Sequence, residues 1–116
     1  MGLRATSIKK YEIVYGDNSG FNYDPETLSN IIEDYCEDFY NGADLPDTNV
    51  VWEVDKTQFR NMVSELEKMS DEEFKSKMEV WKYGWECYNK NYVVTLFKGF
   101  LSDTPEDSNY VRIAWL

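Results

Sequence analysis

The chain has 116 residues, of which 42% are hydrophobic and 16% aromatic, and its net charge is −10. This length and composition predict a single folded domain, residues 1–116, with a buried core. Phosphate contacts supply much of the affinity of nucleic-acid-binding proteins, so the negative charge argues against direct nucleic-acid binding and equally against an anionic membrane surface. The sequence shows no apolar run long enough for a signal peptide or a membrane span, and we expect a cytoplasmic protein.

The first third of the chain predicts a strand followed by a helix. Residues 9–16 alternate with the two-residue period of a strand, and residues 16–24 are rich in turn formers. Asp24 and Pro25 are typical of a helix start, because an aspartate can accept hydrogen bonds from the free N–H groups and proline has no N–H to satisfy. Apolar residues then recur at helical spacing, which predicts a helix over about 25–41.

The middle of the chain predicts a short strand and two helices. Residues 50–54 are typical of a strand, and Asp55 is placed to begin a helix that runs to about Met69. Ser70 begins the capping box of a third helix. The end of that helix is left open, because Gly84 interrupts the apolar spacing.

The last part of the chain predicts two strands. Residues 91–101 are rich in β-branched and aromatic side chains, and so are residues 110–116. The two would form a C-terminal hairpin, and an exposed edge at residues 110–116 could pair with a second copy of the chain. The order of elements predicts an α+β fold: a small antiparallel sheet, made of the N-terminal strand and the C-terminal hairpin, packed against about three helices.

Most of the side chains used in catalysis are missing from the composition. The chain has no histidine, which removes the most frequent general base and zinc ligand. It has no glycine-rich phosphate-binding motif, and its two cysteines, Cys36 and Cys87, form no CxxC pair. Cys36 falls near the apolar stripe of the first helix and is expected to be a buried, unreactive thiol. We therefore expect a protein that is not an enzyme and that binds no metal and no cofactor.

The negative charge is concentrated in one third of the chain. Residues 17–55 include 11 acidic residues and no basic one, whereas the remainder has 11 acidic and 12 basic residues. Within the predicted first helix, Glu33 and Glu37 are four residues apart, and so are Asp34 and Asp38, so each pair would be neighbours on the helix surface. Like charges at this spacing destabilise a helix slightly, so the pattern does not serve the stability of the helix itself.

These acids define a candidate partner-binding surface. An aromatic side chain near the end of the helix could anchor the contact, since aromatic residues concentrate binding energy. Two further acids continue the run into the following loop. The predicted partner-binding residues are Glu33, Asp34, Glu37, Asp38, Tyr40, Asp44 and Asp47. The competing interpretation is that the charge serves solubility alone.

Three classes of function fit these observations. The first is a small acidic inhibitor or antagonist that occludes a basic, nucleic-acid-binding site on a partner protein such as a nuclease. Phage anti-defence proteins and toxin-neutralising immunity proteins share this size, charge and lack of catalytic side chains, a likeness of type and not of sequence. The second is a non-catalytic structural or accessory subunit that self-associates through aromatic or strand surfaces. The third is an enzyme that works with carboxylates alone. We expect the first, with the protein a monomer or, through its last strand, a homodimer.

Overall fold

The computed structural model describes residues 4–10, 14–21, 24–40, 51–83 and 88–115, although the side chains of residues 8–10, 14–18, 40 and 115 are outside the description. The elements, in chain order, are β1 Ala5–Lys10, β2 Val14–Gly20, α1 Pro25–Tyr35, β3 Phe39–Tyr40, β4 Val51–Asp55, α2 Lys56–Lys68, α3 Asp71–Trp81, α4 Lys90–Asp103 and β5 Tyr110–Trp115.

The five strands form one antiparallel sheet in the order β2-β1-β5-β4-β3. In β4, buried side chains alternate with half-buried ones, as expected of a strand with one face on the core and the other toward solvent. On the buried face Trp52 of β4 is paired with Ile113 of β5. The predicted α+β fold with a small antiparallel sheet is confirmed, and the described residues include four helices where about three were expected.

The helices cover the buried face of the sheet and bring α1 beside α3. Both α2 and α4 contact the sheet, while α1 packs against α2 and α3. Phe97 of α4 lies in the middle of the core, with its ring centroid 5.3 Å from that of Phe59 and 6.3 Å from that of Phe21. Burying a side chain of this size contributes roughly 1.5–3 kcal/mol to folding. Because α1 packs against α3, the exposed faces of these two helices are neighbouring parts of one surface.

The predicted helix starts are confirmed, because each depends on a local hydrogen bond. The side chain of Asp24 accepts the N–H of Thr27, that of Asp55 accepts the N–H of Gln58, and that of Ser70 accepts the N–H of Glu73. The predicted strand at residues 50–54 is also confirmed, as β4. Residues 84–87, including Gly84, lie outside the described residues.

The single N-terminal strand predicted at residues 9–16 is wrong. Two strands, β1 and β2, lie on either side of residues 11–13, which are outside the described residues, and β2 occupies much of the segment predicted as a turn. The reason is tertiary, since β1 is hydrogen-bonded to β2 on one side and to β5 on the other. Glycine and asparagine disfavour a strand locally, but strand pairing overrides the local preference.

The strand predicted at residues 91–101, and with it the C-terminal hairpin, is also wrong. This segment belongs to α4, which Asn89 begins by accepting the N–H of Tyr92 at 2.7 Å. Val93, Phe97 and Phe100 recur at helical spacing and are fully buried, so the burial stripe outweighs the β preference of the single residues. β5 lies between β1 and β4 in the centre of the sheet. It therefore offers no free edge for the dimer that the sequence allowed.

Candidate protein-docking surface

The predicted acidic residues that the structure describes lie on the surface, but not on one continuous helix. The predicted helix over 25–41 is too long, because α1 ends at Tyr35 and Cys36 adopts extended angles, with φ −122° and ψ 118°. Glu33 and Asp34 therefore lie on α1, whereas Glu37 and Asp38 lie on the connection to β3. All four are exposed. The proposed helical neighbours, Glu33 with Glu37 and Asp34 with Asp38, are wrong as helix pairs.

The remaining predicted residues are placed only in part. Tyr40 pairs with Glu53 through the backbone of β3 and β4, and its side chain is outside the description. Asp44 and Asp47 lie outside the described residues. Phe39, by contrast, packs against the core, with its ring centroid 5.2 Å from that of Trp52.

Of the four predicted acids that the structure describes, Glu33 and Glu37 are the two whose side chains hold no other element in place. Within the described ranges, neither side chain makes a hydrogen bond or an ion pair, and the salt bridges there join other residues, such as Lys98 with Glu67 at 2.7 Å and Arg112 with Glu53 at 2.8 Å. Their carboxylates are therefore exposed and unpaired within the described part of the chain. That is the electrostatic property which the run of acids in the sequence predicts.

Asp38 holds the connection between α1 and β3 in place. Its side chain accepts a hydrogen bond from the Gln58 Nε2 at 3.2 Å, and its backbone N–H donates to the Gln58 Oε1 at 2.9 Å. Because Gln58 bonds to both the backbone and the side chain of Asp38, α2 determines where the chain runs between α1 and β3. A substitution at Asp38 would change this connection as well as the surface charge.

Asp34 belongs to a set of hydrogen bonds that ties α1 to the end of α3. Its carboxylate accepts the indole N–H of Trp81, a residue that is only 2% exposed. Asn30 donates to the carbonyl of Trp81 at 2.9 Å, and the backbone N–H of Tyr83 donates to the Thr27 hydroxyl at 2.8 Å. Asp34 and Asp38, two of the predicted acids, therefore hold neighbouring elements together in addition to contributing negative charge.

Two further acids that the sequence pattern did not single out, Glu65 and Glu73, act on Tyr35, although Glu65 also pairs with Lys68 at 3.9 Å. The pKa of the Tyr35 phenol is raised, first by burial and then by the charges of Asp34, Glu65 and Glu73. Because these carboxylates come from α1, α2 and α3, the negative potential around Tyr35 arises from three helices. In the sequence, Glu65 and Glu73 lie among lysines and look like ordinary surface residues, so only the packing identifies them.

The described cysteine is not placed for chemistry. Cys36 is free and 4% exposed, and burial, with a smaller contribution from the charge of Asp55, raises the pKa of its thiol to about 12. The expected burial of this thiol is confirmed, and its low reactivity stays a prediction. Cys87 lies outside the described residues.

A groove of about 490 Å³ lies between the N-terminal ends of α3 and α4, away from the predicted acids. Its lining residues are Asp71, Phe74, Lys75, Tyr88, Asn89, Lys90 and Asn91. The ammonium group of Lys90 donates to the Met69 carbonyl at 2.6 Å, so it closes one side of the groove by holding α4 to the end of α2. The lining mixes both charge signs with apolar walls and gathers no set of side chains that would define a reaction.

No helix in the described part of the chain is long and apolar enough to cross a membrane. No group of three or more cysteine and acidic side chains in the same ranges could hold a metal ion.

Comparison of the chain with protein-family models, with curated proteins and with solved structures gave no match.

Proposed function

We propose that this protein is a small acidic protein-binding inhibitor that occludes a basic, nucleic-acid-binding site on a partner protein, in the manner of phage anti-defence or toxin-immunity proteins. The observation that carries the proposal is the exposure of Glu33 and Glu37, neither of which forms an ion pair with a described residue. A surface that keeps such carboxylates unpaired is complementary to a surface of lysine and arginine. We propose that it acts in the cytoplasm and without catalysis.

The mechanism is electrostatic and steric. A partner that binds nucleic acid presents a positive groove, and carboxylates can occupy the positions of the phosphates there. The net charge of −10 steers the two proteins together, so association is fast at low salt and slower as salt screens the charges. The bulk of the domain then blocks the entry of nucleic acid.

The proposed residues have two roles. Glu33 and Glu37 contact the partner directly. Asp34 and Asp38 contribute charge and also hold the surface in shape, Asp34 through its hydrogen bond with Trp81 and Asp38 through its hydrogen bonds with Gln58 of α2. Tyr40, Asp44 and Asp47 continue the binding surface toward β4 in this proposal. Their contribution is to be measured separately by single alanine variants.

The test is affinity capture from a lysate of the source cell, washed at low salt and eluted with a salt gradient. The protein is compared with the double variant Glu33→Lys, Glu37→Lys, which should fold normally because neither side chain has a described partner. The matched control is Glu106→Lys, Asp107→Lys, which changes the net charge equally in the exposed turn before β5.

We expect a nucleic-acid-handling protein to elute at moderate salt from the unmodified protein and from the control variant, and to be missing from the Glu33, Glu37 variant. If both charge-reversed variants capture the partner equally well, this surface is not the docking site. If every variant recovers only copies of this chain, the result supports a self-associating accessory subunit. Such association would use a surface other than β5, which lies in the centre of the sheet.

A further inference from the structure

The end of α3 exposes two apolar side chains next to the acidic surface. Val80 is 78% exposed and Tyr83 is 65% exposed, more than any other large hydrophobic residue that the structure describes. Single exposed apolar residues are common on protein surfaces. Two neighbours with this exposure at one helix end are a more specific feature, because apolar and aromatic side chains form the centres of protein interfaces.

Neither side chain is needed for the packing of α3. The helix already buries Phe74, Met78 and Trp81 on its inner face. Val80 precedes Trp81 by about 100° of helical rotation and points away from this stripe, as its exposure requires. The pair therefore has no evident role within the isolated chain.

The position of the pair relative to α1 is fixed. The hydrogen bonds described above join the carbonyl of Trp81 to Asn30 and the N–H of Tyr83 to Thr27. Val80 and Tyr83 are thus held beside the exposed face of α1 before any partner arrives. A preorganised contact loses less conformational entropy on binding than a flexible one.

Val80 also shares a depression with one of the acids that act on Tyr35. A shallow depression of about 400 Å³ runs along the outer face of α3, and Val80 forms part of its lining together with Glu72 and Glu73. Glu73 is one of the acids that raise the pKa of Tyr35. Lys77 also lines the depression, so the depression carries both signs of charge. The charged residues of α1 are all acidic.

We propose that Val80 and Tyr83 form the apolar anchor of the docking surface, and that their occupant is a basic protein surface which presents an apolar side chain beside its lysine and arginine residues. This proposal rests on the proposed function and adds to it a site that the run of acids did not include. Charge complementarity selects this occupant: α1, which the hydrogen bonds to Trp81 and Tyr83 hold against the end of α3, has three acids and no basic residue. The exposed Lys77 and Lys82 beside the pair are matched in number by the exposed Glu73 and Glu79. The acids of α1 repel a second copy of this chain.

The test uses two hexapeptides of equal charge as probes: acetyl-Lys-Arg-Leu-Leu-Lys-Arg-amide and acetyl-Lys-Arg-Gly-Gly-Lys-Arg-amide. Each is titrated into the full chain while backbone amide shifts are followed by NMR. We expect both peptides to shift resonances of α1, and the leucine peptide alone to shift those of residues 80–83. The leucine peptide should bind about three- to tenfold more tightly, the range expected for partial burial of one large apolar side chain.

The Tyr83→Ala variant should bind the leucine peptide no better than the glycine peptide, with the affinity for the glycine peptide unchanged. The variant should fold, since its side chain is exposed and its backbone N–H remains, and circular dichroism checks this. Val80→Ser is the second variant, with the same expected loss. The control is Tyr110→Ala, which removes a tyrosine that is exposed on β5.

Three results would overturn the proposal, and they are distinguishable. Equal affinity of the two peptides, with shifts confined to α1, removes the anchor and leaves the proposed function in place. Failure of both peptides to bind α1 removes the proposed function and the anchor with it. A dimer in light scattering that Tyr83→Ala dissociates shows that the pair covers a second copy, against the occupant proposed here.

Discussion

At the scale of single residues, Asp34 illustrates how an exposed acid can have an internal role. Its carboxylate accepts the N–H of the buried Trp81 indole, so its removal leaves a donor without a partner at the contact of α1 with α3. We expect Asp34→Ala to lower the free energy of unfolding by about 1–2 kcal/mol, measured by urea denaturation.

The control for this variant is Glu33→Ala, which removes a neighbouring exposed acid and should change stability by less than about 0.5 kcal/mol. Asp34→Asn keeps an acceptor oxygen and should fall between the two. Equal midpoints for Asp34→Ala and Glu33→Ala would show that the indole hydrogen bond contributes nothing.

The buried thiol of Cys36 makes stability depend on pH in the alkaline range. Burial raises its pKa from the ordinary value of 9.0 to about 12 in the folded chain. Above pH 9 the unfolded chain releases this proton while the folded chain retains it, so the contribution is complete below pH 9 and is lost as the pH rises toward 12. We expect the stability of Cys36→Ala to fall less steeply than that of the unmodified chain as the pH rises from 9 toward 12.

The measurement is the urea midpoint across this window for both proteins, compared by slope, because the smaller side chain also leaves a cavity. Reactivity gives an independent check in a Cys87→Ser background. There, a thiol reagent should label Cys36 only when the chain unfolds. Rapid labelling in native buffer, or parallel pH slopes, would contradict the burial of this thiol.

At the scale of elements, the contact between the end of β2 and α4 is unusually close. A Cβ added at Gly20 would lie 2.7 Å from the Leu96 Cδ2, and closer still to the Tyr92 hydroxyl. That hydroxyl accepts the N–H of Phe21 at 3.1 Å, so it is not free to move away. We expect Gly20→Ala to lower the free energy of unfolding by about 1–3 kcal/mol, the usual cost of overpacking.

A double-mutant cycle identifies the cause. In a Tyr92→Phe background the hydroxyl is absent, so Gly20→Ala should cost less there than in the unmodified chain. The remaining cost would come from Leu96. Strictly additive effects of the two substitutions would show that the close approach to the hydroxyl is not the source of the strain.

The elements also show which parts of the fold are readable from the sequence. Helix starts are readable because a cap such as Asp24 or Ser70 bonds to a backbone N–H three residues later, an interaction contained in the local sequence. The strand predicted at residues 91–101 is wrong because their β-branched and aromatic side chains favour a strand only locally. What decides their structure is the stripe of buried residues, including Phe97, that packs on α2 and the sheet.

At the scale of the whole molecule, the run of acids predicted the electrostatic asymmetry but not the full composition of the surface. A charge run is local information, so Glu33 and Glu37 could be chosen from the sequence. The approach of Glu65 and Glu73 toward Tyr35 depends on how three helices pack, and no spacing in the sequence encodes it. The exposed pair at the end of α3 has the same origin.

The molecule can remain folded although the 11 acids of residues 17–55 repel one another. Exposed like charges cost only a few tenths of a kcal/mol each, and the core offsets this easily. A natural surface that keeps such a cost is consistent with use in binding, and a measurement of competition tests that use against solubility alone.

The most direct measurement uses the partner recovered by affinity capture, bound to fluorescently labelled nucleic acid and titrated with this protein while anisotropy is followed. Occlusion predicts that the anisotropy falls to the value of free nucleic acid, and that Glu33→Lys, Glu37→Lys needs at least about tenfold more protein, whereas Glu106→Lys, Asp107→Lys does not. Anisotropy that rises or stays constant at saturation would mean that the partner binds both at once. That result would contradict occlusion of its nucleic-acid site.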